Sequence, residues 1–388
     1  MLGLGRGISM RIGIIGGGCM MERANLELSV EETVFYTVRD SLGNAGLERK
    51  DIDTIVQAAD DVLDGIAINH VYQVEAAGSF LKDESKVERD GAWGAMYAMA
   101  KLLTGKFQTA MVVAYSKASQ IGNSAFSGMN ADPFYLRPVG VDADSMAGLQ
   151  AAFYVQGSGA TETDFAEVAA QNRRSGAQNT RTMHGEGMDI DSAAVLASDP
   201  IAEPVRDLSR ARAGDGCVVL FLANEEYIRS RSLKASYIKG VGFASDAYYP
   251  TYRKLDKLES AEIAIRKAER SASMKASEVD FAELHECYAH QQLMLYEALG
   301  LSEPGKAISD ARDGAFTRDG RLPVNVSGGA MCSNVPYAAG LMRMYEAHLQ
   351  LTGQGEAVQL DRARTALVHS QGGLAMQSNI AFFLEGAK

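Results

Sequence analysis

The chain has 388 residues, of which 46% are hydrophobic and 22% are charged, and its formal net charge is −11. This composition is that of an ordinary globular protein and excludes a disordered or fibrous chain. The acidic balance argues against a general nucleic-acid-binding protein, because such a protein needs a basic face. The length indicates two or three structural units of about 150 residues each.

The cysteines and the apolar runs further limit the class of protein. The four cysteines are far apart and form neither a CxxC pair nor a disulfide framework, so we expect a reducing, cytoplasmic setting. No apolar run reaches the roughly 18 residues that a membrane span requires. Residues 1–9 lack a signal-peptide core and are predicted to be an extension outside the fold.

The first part of the chain alternates between strand and helix patterns. Arg11–Gly16 is a short apolar run that predicts a strand ending in glycines. Ser29–Leu42 begins with a capping box and carries an apolar stripe, which predicts a helix. We also predict strands at Ile52–Ala58 and Thr109–Tyr115, and a buried helix at Gly91–Thr104 that is apolar on nearly every side.

The sequence pattern changes between about residues 117 and 212, where Gly, Ser and Asn clusters separate short helical stretches. An apolar run at Cys217–Leu222 again predicts a strand, and a second series of alternating strands and helices follows. Its predicted elements are strand Ala235–Ile238, helix Ser260–Ser273, strand Phe281–Leu284, helices Gln291–Leu299 and Pro336–Leu351, and strands Thr365–His369 and Asn379–Leu384. The order β-α-β-α-β thus occurs twice, which indicates a duplicated α/β unit.

This order predicts three parts of the chain. Residues 10–116 and 213–232 form the first half, residues 117–212 form an inserted domain, and residues 233–388 form the second half.

The glycine run Gly16–Gly18 follows the first predicted strand. A dinucleotide site would need the spacing G-x-G-x-x-G at a helix start and an acidic residue about 20 positions later, and this pattern is not met. We therefore predict a tight turn. His184 and Glu186 lie together in the inserted region, but a metal site needs more ligands at fixed spacing, so we predict an exposed loop there.

The segment Glu283–His290 concentrates reactive side chains between a predicted strand and a predicted helix, a junction where α/β folds bind ligands. His285 and Cys287 are two positions apart, so they point to the same side of an extended stretch and suit proton transfer at carbon. The N-terminus of the next helix is expected to lower the thiol pKa. The first alternative is a structural one, in which a buried cysteine lies beside a hydrogen-bonded histidine. A zinc site of the form H-x-C-x-x-H is a second alternative, and it ranks lower because it lacks a fourth ligand.

Two glycine-rich loops follow this segment. Gly328 and Gly329 lie in NVSGGAMCSNVPY ahead of a long helix, and Gly372 and Gly373 follow His369 in HSQGG. Backbone amides in such loops can hold an oxyanion. The alternative for both loops is that the glycines simply turn the chain.

In this order, these segments resemble the thiolase superfamily, and most closely the sterol-carrier-protein-type thiolases. FAELHECYAHQQLMLYEALGL resembles the His-Asp-Cys-Phe loop and its helix, NVSGGAMCSNVPYAAGLMRMYEAHLQL resembles the Asn-Pro-x-Gly-Gly loop that leads to Gly-His-Pro, and ALVHSQGG resembles the last catalytic loop. DGAWGAMYAMAKLLTGKFQTAMVVAYSKAS is similar to the nucleophile helix and its strand, and LASDPIAEPVRDLSRARAGDGCVVLFLANEEY to the end of the loop domain. The resemblance implies a five-layer α-β-α-β-α fold of duplicated β-α-β-α-β-α-β-β units with an inserted loop domain.

The resemblance also implies roles for single residues. His285 matches a histidine that helps form an oxyanion hole for the thioester carbonyl, and Cys287 matches the acid/base cysteine of the same loop. His369 falls where other thiolases place their second cysteine.

Two positions depart from the family pattern. Gly91 stands where the nucleophilic cysteine should precede its helix, and Val335 stands at the histidine of Gly-His-Pro. Because glycine cannot be acylated and valine cannot take a proton, thiolytic cleavage through a covalent acyl-enzyme at position 91 is not expected.

The resemblance implies an acyl-CoA thioester as substrate and a C–C bond made or broken without the usual acyl-enzyme, as in a retro-aldol reaction. Cys287, Tyr288 or Tyr337 would move the proton, and Cys332 could serve as a displaced nucleophile. Such a protein would be an atypical thiolase-like acyltransferase or an acyl-CoA aldolase in lipid or aromatic degradation. The alternatives are a non-catalytic subunit of an active thiolase paralogue and an acyl-CoA-binding protein without turnover.

The resemblance also implies partners. We expect a homodimer or a heterodimer with a thiolase paralogue, and a small zinc-ribbon/OB-fold protein as a further partner. Coenzyme A enters as part of the substrate, and no metal, covalently bound cofactor, nucleic acid or membrane is expected.

Overall fold

The computed structural model describes residues 10–183 and 190–387. The predicted N-terminal extension and the predicted loop at His184 and Glu186 lie outside the described residues. The strands are β1 (Ile12–Glu22), β2 (Thr54–Ala58), β3 (Asp83–Val87), β4 (Thr109–Lys117), β5 (Pro200–Ala202), β6 (Val205–Arg206), β7 (Asp215–Asn224), β8 (Ser236–Ser245), β9 (Phe281–Glu283), β10 (Thr365–Gly372) and β11 (Ser378–Gly386).

The helices alternate with these strands. They are α1 (Val30–Asn44), α2 (Asp61–Asp64), α3 (Gly91–Leu103), α4 (Asn123–Met129), α5 (Ala143–Ser158), α6 (Glu162–Ala177), α7 (Ser192–Ala197), α8 (Glu225–Arg231), α9 (Glu259–Ala272), α10 (Ala289–Ala298), α11 (Ala307–Arg312), α12 (Gly329–Cys332) and α13 (Ala339–Thr352). None of the helices in the described ranges is long and apolar enough to cross a membrane.

Within the described residues, nine strands form one sheet in the order β3-β2-β4-β7-β1-β8-β11-β10-β9. The first half of the chain contributes the five strands β3, β2, β4, β7 and β1, and the second half contributes the four strands β8, β11, β10 and β9. The two halves join through β1 and β8, where Gly13 pairs with Tyr237 and Ile14 pairs with Ser236. In each half the parallel pairs lie away from this junction and antiparallel strands lie beside it.

Helices cover the two halves of the sheet in layers. α1 packs on the outer face of the first half, α9 packs on the second half, and α3 and α13 pack against each other between them. The central hydrophobic cluster joins Trp93 and Leu102 of α3 with Leu341 and Met344 of α13. The predicted α/β class with thiolase-like layers is therefore confirmed.

The region between β4 and β7 is mainly helical and contains the small β5-β6 pair. Its helices α5 and α6 pack on α10 of the second half. This contact places the inserted region beside the β9–α10 connection, where the reactive side chains cluster. The three-part division of the chain stays a prediction.

The glycine run Gly16–Gly18 does not form the predicted turn, because it lies inside β1 and pairs with β7. A Cβ on Gly17 would crowd the ring of Tyr345 on α13, and a Cβ on Gly18 would overlap the side chain of Ser41 on α1. The glycines therefore let helices approach both faces of the strand.

Candidate functional site

A cavity of about 430 Å³ opens at the N-terminal ends of the two central helices, α3 and α13. The β9–α10 connection, the β10–β11 turn and helix α4 complete its wall. Of the residues predicted from the sequence, His285, Cys287, Tyr337, Gly372 and Gly373 line this cavity together. Segments that are far apart in the chain thus converge on one pocket.

His285 and Cys287 form a close pair at the cavity wall. Cys287 Sγ lies 3.6 Å from His285 Nε2, and the side-chain amide of Gln371 donates to the same sulfur at 3.0 Å. Burial lowers the pKa of His285 to about 3 and raises the pKa of Cys287 to about 12. The expected lowering of the thiol pKa is wrong, because burial outweighs the helix N-terminus. At neutral pH the pair is a neutral imidazole and a protonated thiol.

Behind the imidazole lies a buried carboxyl group that sequence reasoning missed. Ser370 Oγ lies 3.2 Å from His285 Nδ1 and donates to Asp90 Oδ1 at 3.1 Å. Asp90 also accepts from Ala92 N of α3 and from Gly340 N of α13, both at 2.9 Å. Burial raises the pKa of Asp90 to about 6. An aspartate directly before a predicted helix is an N-cap signal, but its distant partner Ser370 leaves no local trace in the sequence.

Apolar side chains fill the space beside Gly91, the position of the missing nucleophile. A Cβ built on Gly91 would lie 2.8 Å from Ala114 Cβ and 2.8 Å from Leu341 Cβ. Val335, at the lost histidine position, is fully buried in the central cluster. Neither position therefore offers a reactive atom to the cavity.

Tyr337 brings a phenol to the cavity wall beside a carboxylate. Its hydroxyl donates to Asp60 Oδ2, and both residues line the cavity. Burial and the charge of Asp60 raise the pKa of Tyr337, so the phenol is a hydrogen-bond donor at neutral pH. Tyr337 has φ 64, a left-handed backbone that costs a non-glycine residue about 1–3 kcal/mol. Its carbonyl accepts from Gly91 N at 2.6 Å, which fixes this backbone against the start of α3.

Three other predicted residues are absent from the described lining of the cavity. The hydroxyl of Tyr288 donates to Asp144 Oδ1 at 2.7 Å, and Cys332 Sγ lies 3.5 Å from the carbonyl of Asn172. His369 Nε2 lies 2.8 Å from Asn379 Oδ1. Each of these side chains is therefore engaged with a partner away from the pocket.

Gly328 and Gly329 bend the chain around the buried carboxylate of Glu286. This carboxylate accepts from Met331 N and from the side chain of Asn325, both at 2.9 Å. A Cβ on Gly329 would overlap the Glu286 carboxylate. The structure thus gives this loop a packing role and places no amide of Gly328 or Gly329 in the described lining.

The zinc alternative finds no support in the described ranges, where no three His, Cys, Asp or Glu side chains are grouped as metal ligands. His290 of the H-x-C-x-x-H pattern turns away from Cys287, and its Nε2 lies 3.2 Å from Gln150 Oε1.

Comparison with known proteins shows what this chain is similar to. The model of the family described as "Thiolase C-terminal domain-like" matches residues 245–385. Sterol carrier protein 2 of Oryctolagus cuniculus is 26% identical over 237 residues, which cover 59% of this chain and 43% of that protein. An acetyl-CoA acetyltransferase of Methanothermobacter thermautotrophicus is 26% identical over 246 residues, which cover 63% of this chain and 64% of that protein.

Residues 245–385 thus match a thiolase C-terminal domain-like family, and the chain is similar to proteins of the thiolase superfamily. Its sequence similarity is to the sterol-carrier-protein type among others, and the match spans less than two thirds of the length of these two relatives.

A solved structure described as the "Ltp2-ChsH2(DUF35) aldolase" superposes on this chain with a TM-score of 0.81. The two chains are 23% identical, and the superposition covers 97% of this chain and 98% of the other. At this identity the likeness shows the fold alone.

Proposed function

We propose that this protein is an enzyme that makes or breaks a C–C bond next to a CoA thioester without forming a covalent acyl-enzyme. The reaction that fits the cavity best is the retro-aldol cleavage of a β-hydroxyacyl-CoA. The neighbour described as an aldolase and the acetyl-CoA acetyltransferase relative support this class of reaction and substrate.

The observation that carries the proposal is the contrast between position 91 and the His285–Cys287 pair. The Cβ site of Gly91 is filled by Ala114 and Leu341, so a nucleophile has no room there. The imidazole and the thiol, in contrast, reach the cavity within 3.6 Å of each other. The site has therefore lost acyl transfer and kept proton transfer, and a retro-aldol reaction needs only the latter together with a stabilised enolate.

A base removes the proton of the β-hydroxyl group, the Cα–Cβ bond breaks, and its electron pair forms the enolate of the shortened CoA thioester. The β-carbon leaves as an aldehyde or ketone, and an acid protonates the α-carbon. A protonated Cys287 thiol suits the last step. The phenol of Tyr337 suits hydrogen bonding to the enolate oxygen once its single proton turns from Asp60 to the substrate.

The proposal includes partners and a compartment. The neighbour's description names Ltp2 together with ChsH2(DUF35), which supports a complex with a second protein, and the partner proposed for this chain is a small zinc-ribbon/OB-fold protein. Exposed apolar side chains lie near the edge strand β3, with Ile68 at 58% and Leu81 at 98% exposure, which supports assembly into a homodimer or a heterodimer. The four cysteines are free thiols, which suits a cytoplasmic enzyme.

A non-catalytic subunit is the second candidate, and the same exposed apolar side chains favour it, because they suit pairing with a thiolase paralogue. It would retain His285 and Cys287 as remnants of the family site. The third alternative, an acyl-CoA-binding protein, would bind CoA esters tightly without forming product.

The test is an assay of the purified protein with β-hydroxyacyl-CoA and β-ketoacyl-CoA substrates. It should be run with the chain alone, and with a thiolase paralogue and a zinc-ribbon/OB-fold protein from the same genome. We expect aldol cleavage, and we expect Cys287→Ala to lower kcat by about 10²-fold or more, because general acid catalysis is lost. Cys19→Ala is the matched control, since Cys19 lies on β1 away from the cavity lining.

The other outcomes separate the alternatives. Activity only with a paralogue, and unchanged by Cys287→Ala, would favour the non-catalytic subunit. A covalent acyl group on Cys332, found by mass spectrometry of the trapped protein, would show the displaced nucleophile instead.

A further inference from the structure

We propose that Asp90, acting through Ser370, holds His285 as the tautomer with a protonated Nδ1, and that His285 Nε2 is therefore the base of the site. Asp90 and Ser370 are positioning residues in this scheme. The role of the base rests on the proposed function, whereas the tautomer can be measured without it. This assignment differs from the oxyanion-donor role that the family resemblance implies for His285.

The tautomer follows from counting donors and acceptors. Asp90 accepts from Ala92 N and from Gly340 N, which matches an ionised carboxylate without a proton of its own. The single hydroxyl proton of Ser370 goes to Asp90 Oδ1 at 3.1 Å, so its oxygen is left as an acceptor for His285 Nδ1 at 3.2 Å. A neutral imidazole carries one proton, so Nδ1 holds it and Nε2 is bare.

The surroundings of Asp90 favour its ionised form at neutral pH. The carboxylate lies at the N-terminal ends of both α3 and α13, where the helix dipoles favour negative charge. Arg343 of α13 acts in the same direction, while burial raises the pKa to about 6. The other titratable groups facing it are His285, Cys287 and Tyr337.

Gly340 shows that this arrangement is built into the packing. A Cβ at this position would overlap both Ser370 Oγ and Asp90 Oδ1. The absence of a side chain lets the amide of α13 reach the carboxylate, so the two central helices and β10 meet at one hydrogen-bonded point.

A neighbouring histidine is held in the opposite tautomer and provides an internal comparison. The side-chain amide of Asn379 donates to Ser260 Oγ and to the carbonyl of Met376, so its oxygen faces His369 Nε2 as an acceptor. His369 thus carries its proton on Nε2. The protein therefore sets the two buried histidines differently, and the bare Nε2 is the one at the cavity.

The assignment completes the proton cycle of the proposed reaction. Because burial lowers the pKa of His285 to about 3 in the free site, Nε2 takes the β-hydroxyl proton only as the Cα–Cβ bond breaks and the negative charge of the enolate forms beside it. The Cys287 thiol then gives its proton to the α-carbon. The imidazolium then returns a proton to the thiolate across the 3.6 Å contact. Each group ends as it began, and no other reactant is needed.

The test is ¹⁵N NMR of the intact protein with labelled histidine, because the ring nitrogens report directly which of them carries the proton. The His285 signals are assigned by their loss in His285→Gln. At pH 8 we expect a protonated Nδ1 and a bare Nε2 for His285, and the reverse for His369. A protonated Nε2 on His285 would overturn the proposal, whatever the activity of the protein.

Ser370→Ala removes the link between Asp90 and His285. We expect this variant to shift His285 toward the Nε2-protonated form and to lower kcat about 10²-fold with KM nearly unchanged. An unchanged tautomer would refute the role of Ser370. Ser236→Ala is the matched control, since Ser236 Oγ lies 2.9 Å from His348 Nδ1 in a buried pair away from the cavity lining, and it should alter the His348 signals alone.

If Ser370→Ala does not fold, the wild-type spectrum still decides the tautomer. A correct tautomer in a protein without aldol activity would leave the assignment standing and remove only the proposed function.

Discussion

Restoring a cysteine at position 91 is the sharpest test of the idea that this site has no room for a nucleophile. The new Cβ would lie 2.8 Å from both Ala114 Cβ and Leu341 Cβ. Carbon atoms prefer separations of about 3.5–4.0 Å, so each wall must retreat by roughly 0.7 Å. Such overpacking costs about 1–3 kcal/mol in a close-packed core. For a chain of this length the cost corresponds to a melting temperature lower by about 1–4 °C.

The assay combines thermal melting with a search for the acyl-enzyme. Gly91→Cys is melted beside the wild type, and is then incubated with β-ketoacyl-CoA and analysed by intact mass spectrometry. We expect a lower melting temperature and no covalent acyl group, because Val335 cannot activate a thiol at position 91.

Gly43→Cys is the matched control. Gly43 also lies in a helix, but a Cβ there meets nothing within 4 Å, so this substitution should leave the melting temperature unchanged. If Gly91→Cys melts like the wild type and becomes acylated, position 91 has room for a working nucleophile and the reasoning fails.

Two further predictions concern acidity and the phenol. Among the described residues, four buried histidines have pKa values lowered to about 3 or 4: His285, His290, His348 and His369. Because their folded pKa lies below the unfolded value of about 6.5, stability is lost as the pH falls through that value, by about 1.4 kcal/mol per histidine between pH 7.5 and 5.5. Buried carboxyl groups with a raised pKa, among them Asp90 and Glu286, gain stability over the same pH range and oppose this loss. We therefore expect urea titrations to show that the free energy of unfolding falls by about 2 kcal/mol between pH 7.5 and 5.5. A free energy of unfolding that stays constant over this range would contradict the prediction. Tyr337→Phe should lower kcat about 10-fold or more, because the enolate loses a donor, and an unchanged kcat would remove Tyr337 from the mechanism. The variant should also melt about 1–4 °C lower, because the buried Asp60 loses its hydrogen bond from the phenol.

Much of the fold could be predicted because its strands and helices carry strong local patterns. The apolar run of β4 and the capping box of α1 identify these elements without any tertiary information. The edge strand β3, with the sequence DESKV, was missed, because its side chains are polar and it pairs with β2 alone in the described sheet. The glycines of β1 were misread for the opposite reason. Their cause is the close approach of α1 and α13, and neither contact can be seen in the local sequence.

The candidate site was predictable only where its residues are neighbours in the chain. His285 and Cys287 lie two positions apart, so an extended segment brings them together. Asp90 and Ser370, in contrast, are 280 positions apart, and their contact depends on the packing of α3 against the second half. The protonation states could not be read from the sequence either, because burial sets the pKa values of the imidazole and the thiol.

Helix α13 contacts both position 91, where the nucleophile is missing, and Asp90, the carboxylate behind His285. Leu341 touches the Cβ site of Gly91, and the preceding residue, Gly340, donates its amide to Asp90. We expect a side chain at position 91 to press on Leu341, to push α13 away from α3 and so to draw that amide off the carboxylate. Gly91→Cys should therefore also weaken the hold of Asp90 on His285, which would appear as a mixture of His285 tautomers in the ¹⁵N spectrum. A glycine at position 91 thus favours the proposed basic Nε2, because a bare backbone lets the two central helices meet at Asp90.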